Sequence, residues 1–329
     1  MKRCKILFYG FRHGHINGLY RRVQNADCAE IAGCIEENAE ARAAAEVRLG
    51  ASFLSESYDA MLATDIDAVA IGCAYGDRGA AVIKALRAGK HVIADKPICT
   101  SLAELAQIRA LCAETGLTVA CMLDLRYLPQ TLTAKRVLDS GRLGAIKSIT
   151  FNGQHCIDYA NRPAWYFEKG KHGGTINDLA IHGIDLVRML TGQELAEIDA
   201  ARVWNAYAYK NPEFRDSATF MARLSDGAGV LADISYSAPS QVFSMPTYWE
   251  FRIWCARGML TFHYTDSSVT LYEEGTPAPV VLAGETSRTD YLDELLAGMG
   301  GDTSVTAGVL ASTETALRIQ QVADKEFTR

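Results

Sequence analysis

Short apolar runs alternate with longer amphipathic stretches over the first 122 residues. The apolar runs have the length of buried strands, and the longer stretches carry apolar residues at helical spacing. The predicted strands are residues 5–9, 29–35, 66–71, 91–94 and 117–122, and the predicted helices are one through Val23 and residues 39–49, 58–64, 79–88 and 101–115. Strands that alternate with helices indicate an α/β domain with a parallel, doubly wound sheet, here residues 1–122.

The pattern changes after Pro129. One more helix is predicted over residues 131–140, and a strong helix over residues 176–190 interrupts a series of longer strands. These strands are predicted over residues 146–156, 197–209, 217–224, 228–238, 249–256, 259–264 and 268–272. Consecutive strands without helices between them favour a second α/β domain, residues 123–329, with a large open and mostly antiparallel sheet. A last helix, residues 305–323, is apolar on one face and is expected to pack back between the domains.

Composition excludes several classes of protein. A net charge of −6 and a pI near 5.7 argue against nucleic acid as a partner. No apolar stretch approaches the roughly 20 residues that span a bilayer, and the run from Ile6 to Tyr9 is too short for an export signal. The nine cysteines are dispersed without a C-x-x-C pair, which favours free thiols in the cytoplasm.

The turn after the first predicted strand resembles a phosphate-binding loop. Gly10-Phe11-Arg12-His13-Gly14-His15 stands where a dinucleotide-binding fold carries G-x-G-x-x-G, but Arg12 and His15 occupy the second and third glycine positions. Glu36, which follows the second strand, is the candidate partner of the ribose hydroxyls, with Glu37 as the fallback. The alternative is an ordinary turn with a solvated acidic pair. Arg12 is a candidate contact of the pyrophosphate or of a 2′-phosphate.

Lys96, Asp178 and His182 form a candidate acid–base set. Lys96 follows a buried strand and precedes Pro97, at the sheet edge where α/β proteins bind ligands. Asp178 and His182 are four residues apart on a predicted helix and therefore share a face. The alternatives are a surface lysine, a hydrogen-bonded core histidine, or a metal site. Because no third ligand stands at a recognisable spacing, we predict no metal.

Aromatic side chains precede the diglycine Gly173-Gly174. Trp165 and Tyr166 suit the apolar face of a sugar ring, and the alternative is packing at a domain interface. Tyr75 and Arg126 are predicted to end the third and fifth strands, where each either lines a cleft or is structural.

These motifs together resemble the glucose–fructose oxidoreductase/inositol dehydrogenase (Gfo/Idh/MocA) family over nearly the whole chain. Ala88-Gly89-Lys90-His91-Val92 leads to Asp95-Lys96-Pro97, which is similar to A-G-K-H-V…E-K-P. Gly173-Gly174 leads to Asp178-Leu179-Ala180-Ile181-His182-Gly183-Ile184-Asp185, which is similar to G-G-G…D-x-G-x-H-x-I-D. Asp95 replaces glutamate, and Cys73-Ala74-Tyr75-Gly76-Asp77-Arg78 stands in place of threonine-proline-x-x-x-histidine.

The resemblance implies a Rossmann domain, a second domain with an open sheet, and NAD(P)-dependent oxidation of a sugar, sugar derivative or inositol. The expected cofactor is NAD, with NADP as the alternative. The expected assembly is a homodimer or homotetramer formed through the C-terminal sheet. The predicted cofactor-binding residues are Gly10, Phe11, Arg12, His13, Gly14, Glu36, Cys73, Ala74, Tyr75, Asp95, Lys96 and Pro97. The predicted substrate-binding residues are Lys96, Arg126, Trp165, Tyr166, Asp178 and His182. Redox-assisted elimination of a glycosidic substituent, or a non-catalytic binding role, are the alternative functions.

Overall fold

The computed structural model describes residues 3–245, 248–286 and 289–327, which form two compact units. The first unit comprises the chain up to Leu123, Pro163–Gly173 and Thr289–Glu314. The second comprises Asp124–Arg162, the described residues from Gly174 to 286, and the described chain from Thr315 onwards. Two segments predicted to belong to the second domain lie in the first unit, Pro163–Gly173 and Thr289–Glu314.

The first unit contains a five-stranded parallel sheet in the order β2-β1-β3-β4-β5. Its strands are β1 Cys4–Tyr9, β2 Ala29–Ile35, β3 Ala68–Ile71, β4 His91–Ala94 and β5 Val119–Cys121. The helices that alternate with them are α1 His15–Gln24, α2 Ala39–Leu49, α3 Tyr58–Leu62, α4 Tyr75–Arg87 and α5 Leu102–Thr115. The predicted parallel, doubly wound sheet is therefore confirmed.

Helix α4 begins four residues earlier than the predicted start at Gly79. Glycine disfavours helix interiors, so Gly76 weakened the sequence signal for a helix that starts before Gly79. In the structure both glycines allow close approach instead. A Cβ at Gly76 would lie 2.0 Å from the Gly170 oxygen, and one at Gly79 would lie 2.4 Å from the Glu104 side chain. As a consequence Tyr75 begins α4 and does not end the third strand.

The second unit contains an eight-stranded sheet in the order β13-β12-β11-β10-β6-β9-β8-β7, antiparallel except between β6 and β9. Its strands are β6 Ile146–Gln154, β7 Leu195–Trp204, β8 Ser217–Leu224, β9 Gly229–Ser235, β10 Phe251–Cys255, β11 Gly258–Phe262, β12 Ser268–Glu273 and β13 Val280–Ala283. Helices α6 Pro129–Asp139 and α7 Ile181–Thr191 pack on one face. The predicted open, mostly antiparallel sheet is confirmed.

Other elements differ from the prediction. The predicted helix 176–190 begins as a π-helical turn, Ile176–Ala180, before α7. Arg126 lies in a 3-10 helix, Asp124–Tyr127, and not at a strand end. Strand β13 and helix α8, Tyr291–Met299, were not predicted, and the last helix, α9, spans Thr303–Phe327. No helix among the described residues has the length and hydropathy needed to cross a membrane.

Candidate functional site

The predicted cofactor-binding residues of the first unit follow the carboxyl ends of four parallel strands. The glycine turn follows β1, Glu36 follows β2, the segment Cys73–Tyr75 follows β3, and Asp95-Lys96-Pro97 follows β4. In an open parallel sheet these ends form the ligand-binding edge. The structure therefore brings all twelve predicted cofactor-binding residues to one edge of one sheet.

The turn after β1 is held by backbone contacts that require glycine at its first position. Gly10 has φ +81°, and a Cβ there would lie 2.5 Å from the Cys73 nitrogen. The buried Glu36 carboxylate accepts hydrogen bonds from the Phe11 amide at 2.6 Å and the Asn38 amide at 2.8 Å. Because each carboxylate oxygen has two lone pairs, Glu36 retains acceptor capacity for ribose hydroxyls. Gly10 and Glu36 thus fit a dinucleotide, whereas Arg12 and His15 depart from the usual glycines.

Two histidines of this turn approach one buried carboxylate. His13 Nδ1 lies 2.9 Å from Asp95 Oδ2, and His15 Nδ1 lies 3.0 Å from Asp95 Oδ1. Burial lowers the pKa of His13 to about 4, despite the opposing effect of Asp95. Burial alone would raise the pKa of the Asp95 carboxyl, but His13, His15 and Arg78 outweigh it and hold that pKa well below its usual range.

A fully buried arginine fixes the backbone around Lys96. The Arg78 guanidinium donates to the carbonyl oxygens of Lys96 at 2.6 Å, Pro97 at 2.9 Å and Cys73 at 2.8 Å. The Lys96 side chain is itself buried, and its Nζ lies 5.7 Å from the centroid of the Tyr75 ring. Arg78 therefore joins the segments that follow β3 and β4, and it sets the position from which Lys96 projects.

The aromatic residues predicted to bind substrate lie in a buried cluster of the first unit. The Tyr75 ring packs edge-on against Trp165 and Tyr166, at centroid distances of 4.8 and 5.6 Å. The hydroxyls of Tyr75 and Tyr166 are 2.7 Å apart, and His172 packs against both rings. Burial raises the pKa of the neighbouring Cys73 thiol to about 12, so this thiol is protonated at neutral pH.

In the second unit, His182 on α7 is buried beside a carboxylate that the sequence analysis did not select. His182 Nδ1 lies 3.8 Å from Asp124 Oδ1, and the Asp124 side chain is 44% exposed. Its ring packs edge-on against Trp249 at a centroid distance of 5.6 Å. Asp124 follows Leu123, beyond the end of β5, so its position at a strand end was the signal available in the sequence.

Asp178 is fixed by a hydroxyl from the sheet of the second unit. The Tyr236 hydroxyl donates a hydrogen bond to Asp178 Oδ2, and both residues are about 1% exposed. Tyr236 directly follows β9, 58 residues along the chain from Asp178. No local pattern in the sequence connects the two, so Tyr236 was not predicted.

Arg126, a predicted substrate contact, forms a two-pronged ion pair with Asp185. Its Nε and Nη2 atoms lie 2.5 and 2.6 Å from the two carboxylate oxygens, and Asp185 is buried. This pair ties the 3-10 helix Asp124–Tyr127 to α7, and thereby supports Asp124 beside His182. The geometry supplies a structural role for Arg126; its contact with substrate stays a prediction.

Comparison with known proteins finds a matching family model for the N-terminal part of the chain and another for the C-terminal part. The family model described as an oxidoreductase family with an NAD-binding Rossmann fold matches residues 7–122, and a GFO/IDH/MocA C-terminal domain model matches residues 131–261. The prediction of a nicotinamide dinucleotide cofactor is thereby confirmed for the family to which these models belong.

Among curated proteins, D-xylose dehydrogenase of Paenarthrobacter nicotinovorans is 32% identical over 112 residues, 32% of this chain and 28% of that protein. The scyllo-inositol 2-dehydrogenase (NAD(+)) of Bacillus subtilis is 28% identical over 72% of this chain and 68% of its own length. The xylose enzyme is therefore matched over less than two thirds of its length. An inositol dehydrogenase homolog from Azotobacter vinelandii, solved with NAD+, shares the fold, with a TM-score of 0.81 at 16% identity over 98% of this chain and 96% of that one.

Proposed function

This chain belongs to the GFO/IDH/MocA oxidoreductase family, and from that premise we propose that it is an NAD-dependent dehydrogenase of a sugar, sugar derivative or inositol. The substrate class is supported by the named activities of the xylose and inositol relatives. Bound NAD(H) supplies the nicotinamide that accepts or donates the hydride. The residues of this chain bind the dinucleotide, orient the substrate and move the hydroxyl proton.

The placement of Lys96 carries the proposal. This lysine is buried, directly follows β4, and lies at the same sheet edge as the glycine turn and Glu36. In open α/β sheets, ligands bind outside this edge. At the cofactor edge its three N–H donors suit a substrate oxygen that gains negative charge during the reaction.

His182 and Asp178 complete the proposed acid–base set. His182 takes the proton from the substrate hydroxyl in the oxidation direction and returns it in the reduction direction. Asp178, held by the Tyr236 hydroxyl, positions His182 or binds a substrate hydroxyl. In this proposal Trp165 and Tyr166 supply apolar surface for the sugar ring, and Arg126 contacts polar groups of the substrate.

A substrate panel tests the proposal. Sugars and inositols are incubated with NAD+ or NADP+, and reduction of the nicotinamide is followed by its absorbance. At least one polyol should give stoichiometric reduction with retention of the carbon skeleton. Cleavage of a glycoside with no net reduction of the cofactor would replace oxidation by redox-assisted elimination. Dinucleotide binding without turnover of any member of the panel would favour a binding protein.

We expect NAD(H) to bind at least about tenfold more tightly than NADP(H). A 2′-phosphate beside the negative charge of a Glu36 carboxylate meets a repulsion of about 4 kcal/mol at 4 Å in a partly screened site, and 1.4 kcal/mol already corresponds to tenfold. Glu36→Gln removes this charge and should reduce the NAD/NADP affinity ratio. Glu37→Gln, next to it but exposed, is the matched control and should leave the ratio unchanged. Calorimetric titration with both cofactors measures the affinity ratio. A preference for NADP(H) would contradict the prediction and would assign Arg12 to the 2′-phosphate.

We also propose a homo-oligomer formed through the outer face of the eight-stranded sheet. This face exposes large apolar side chains on adjacent strands, which soluble monomers rarely present as a patch. Met259 on β11 is aligned with Trp254 on β10 and with Tyr272 on β12, while Leu231 on β9 is aligned with Met221 on β8. Trp254 is 51% exposed and Met221 is 50% exposed.

Trp254→Glu should weaken the proposed oligomer by about 30-fold or more. A central tryptophan in an interface typically contributes at least about 2 kcal/mol, and a charge at its position adds a desolvation cost. Light scattering after size exclusion, over a range of concentrations, measures the change in mass. Val47→Glu is the control because Val47 is exposed on α2 of the first unit. A monomeric wild-type protein would contradict the oligomer.

A cytoplasmic location is part of the proposal. All nine cysteines are free thiols, and six of them are buried. Burial raises the pKa of Cys34 and Cys99 to about 12, so these thiols are protonated and unreactive at neutral pH. This usage of cysteine suits a reducing compartment.

A further inference from the structure

We propose that His13, His15 and Asp95 form a binding site for a divalent transition-metal ion, with Zn²⁺ as the best-fitting candidate. The proposal concerns different residues from Asp178 and His182, the pair for which the sequence analysis considered a metal. It rests on the first unit alone and does not depend on the substrate or on the reaction proposed above.

Two of the distances between candidate ligand atoms are close to the spacing of a tetrahedral site. Zinc bonds of about 2.0–2.2 Å to nitrogen and oxygen place neighbouring ligand atoms about 3.3 Å apart. The two Nδ1 atoms lie 2.9 and 3.0 Å from the oxygens of Asp95, and all the ligand atoms lie within 4.8 Å of one another. The imidazole rings converge at a centroid distance of 4.9 Å with an interplanar angle of 78°. Because each imidazole faces a different oxygen of Asp95, the side chains must shift to place both nitrogens and a carboxylate oxygen around one ion.

The donor types match a borderline-soft cation. Two neutral imidazole nitrogens and one carboxylate suit zinc, iron, cobalt or nickel better than calcium or magnesium, which prefer oxygen. Asp95 is fully buried, so the bound cation would compensate a carboxylate that has lost its hydration. Metal binding requires each imidazole to carry its proton on Nε2, which leaves the Nδ1 lone pair for the ion.

The cluster contains one residue that departs from the dinucleotide motif, His15, while His13 and Asp95 are also predicted to contact the dinucleotide. His15 occupies the third glycine position of the turn, and His13 lies beside it, and both rings point at the same carboxylate. With three protein ligands, a zinc ion would keep one coordination position for water or another oxygen ligand. His13 and His15 are 15% and 25% exposed at the side chain, whereas the His15 Nδ1 and Asp95 Oδ1 atoms are buried, so the imidazole rings must move to admit an ion.

The test is a titration of the full-length, chelator-treated protein with Co²⁺, a coloured substitute for Zn²⁺. A Cys28→Ser background removes an exposed thiol that could bind the probe elsewhere. We expect one equivalent of Co²⁺ to produce ligand-field absorption of a four- or five-coordinate ion, and one equivalent of Zn²⁺ to displace it. His15→Gln and Asp95→Asn should each weaken Co²⁺ binding by at least about 10–100-fold.

His263→Gln is the matched control, because His263 lies in the second unit and pairs with the Thr265 hydroxyl. It should bind Co²⁺ as the parent does. Circular dichroism establishes that each variant is folded, and the partly exposed His15 provides a variant that decides the question even if Asp95→Asn does not fold. Absence of stoichiometric binding, equal affinity in parent and His15→Gln, or a thiolate charge-transfer band would overturn the metal site.

Discussion

His182→Gln should lower kcat/KM for oxidation of the alcohol by about 10²–10⁴-fold, the usual contribution of a general base. It should also remove the ascending limb of the pH profile. A histidine accepts a proton only when it is neutral, and the ordinary pKa of histidine, about 6.5, lies within the accessible range. Glutamine has similar reach and remains polar but does not titrate. Initial rates across the pH range, compared with those of His263→Gln, measure both effects.

Lys96→Ala is the companion experiment. It should depress kcat strongly, because Lys96 is proposed to stabilise charge on the substrate oxygen, and it should keep the native fold. If His182→Gln retains the ascending limb, another group is the base, and Lys96 is the first candidate. Asp124 is the second, since it is the carboxylate 3.8 Å from His182. Wild-type turnover in either variant would remove that residue from the mechanism.

The fold was predictable where the hydrophobic period is strong and local. The apolar runs that became β1, β2 and β4 are bounded by turn residues and match the structure within one residue. Helix α8 was missed because its signal is short. Its Asp290/Asp293 capping box and its buried Leu292 and Leu295 become meaningful only when the helix packs under β4 and β5.

The candidate site was predictable only where it follows a strand or a motif. The cofactor residues could be grouped because the carboxyl ends of parallel strands share one edge. Partners from distant segments could not be identified, since the Tyr236 hydroxyl meets Asp178 across 58 positions and Trp249 lies 67 positions from His182. Arg78 was recognised only as part of the segment Cys73–Arg78, and its sequence neighbours gave no indication that its side chain is fully buried.

Arg78→Met should lower the free energy of unfolding by about 3–5 kcal/mol, the largest stability effect we expect from one substitution in the first unit. The guanidinium satisfies three buried carbonyl oxygens, and an unsatisfied buried polar group costs about 1–3 kcal/mol. The contact between the guanidinium and the Tyr75 ring, at 4.8 Å, is lost as well. Equilibrium urea unfolding gives the difference from the shift in midpoint.

Two further variants show whether the geometry of the guanidinium is responsible. Arg78→Lys keeps the charge but concentrates its donors at one point, so it cannot span the carbonyls of Cys73, Lys96 and Pro97 and should rescue little of the loss. Arg87→Met, on the exposed end of the same helix, should leave the midpoint nearly unchanged. Full rescue by lysine would mean that charge alone stabilises this segment. An unchanged midpoint in Arg78→Met would show that water or rearranged backbone replaces the lost donors. The second result would leave the position of Lys96 without the support assigned to Arg78.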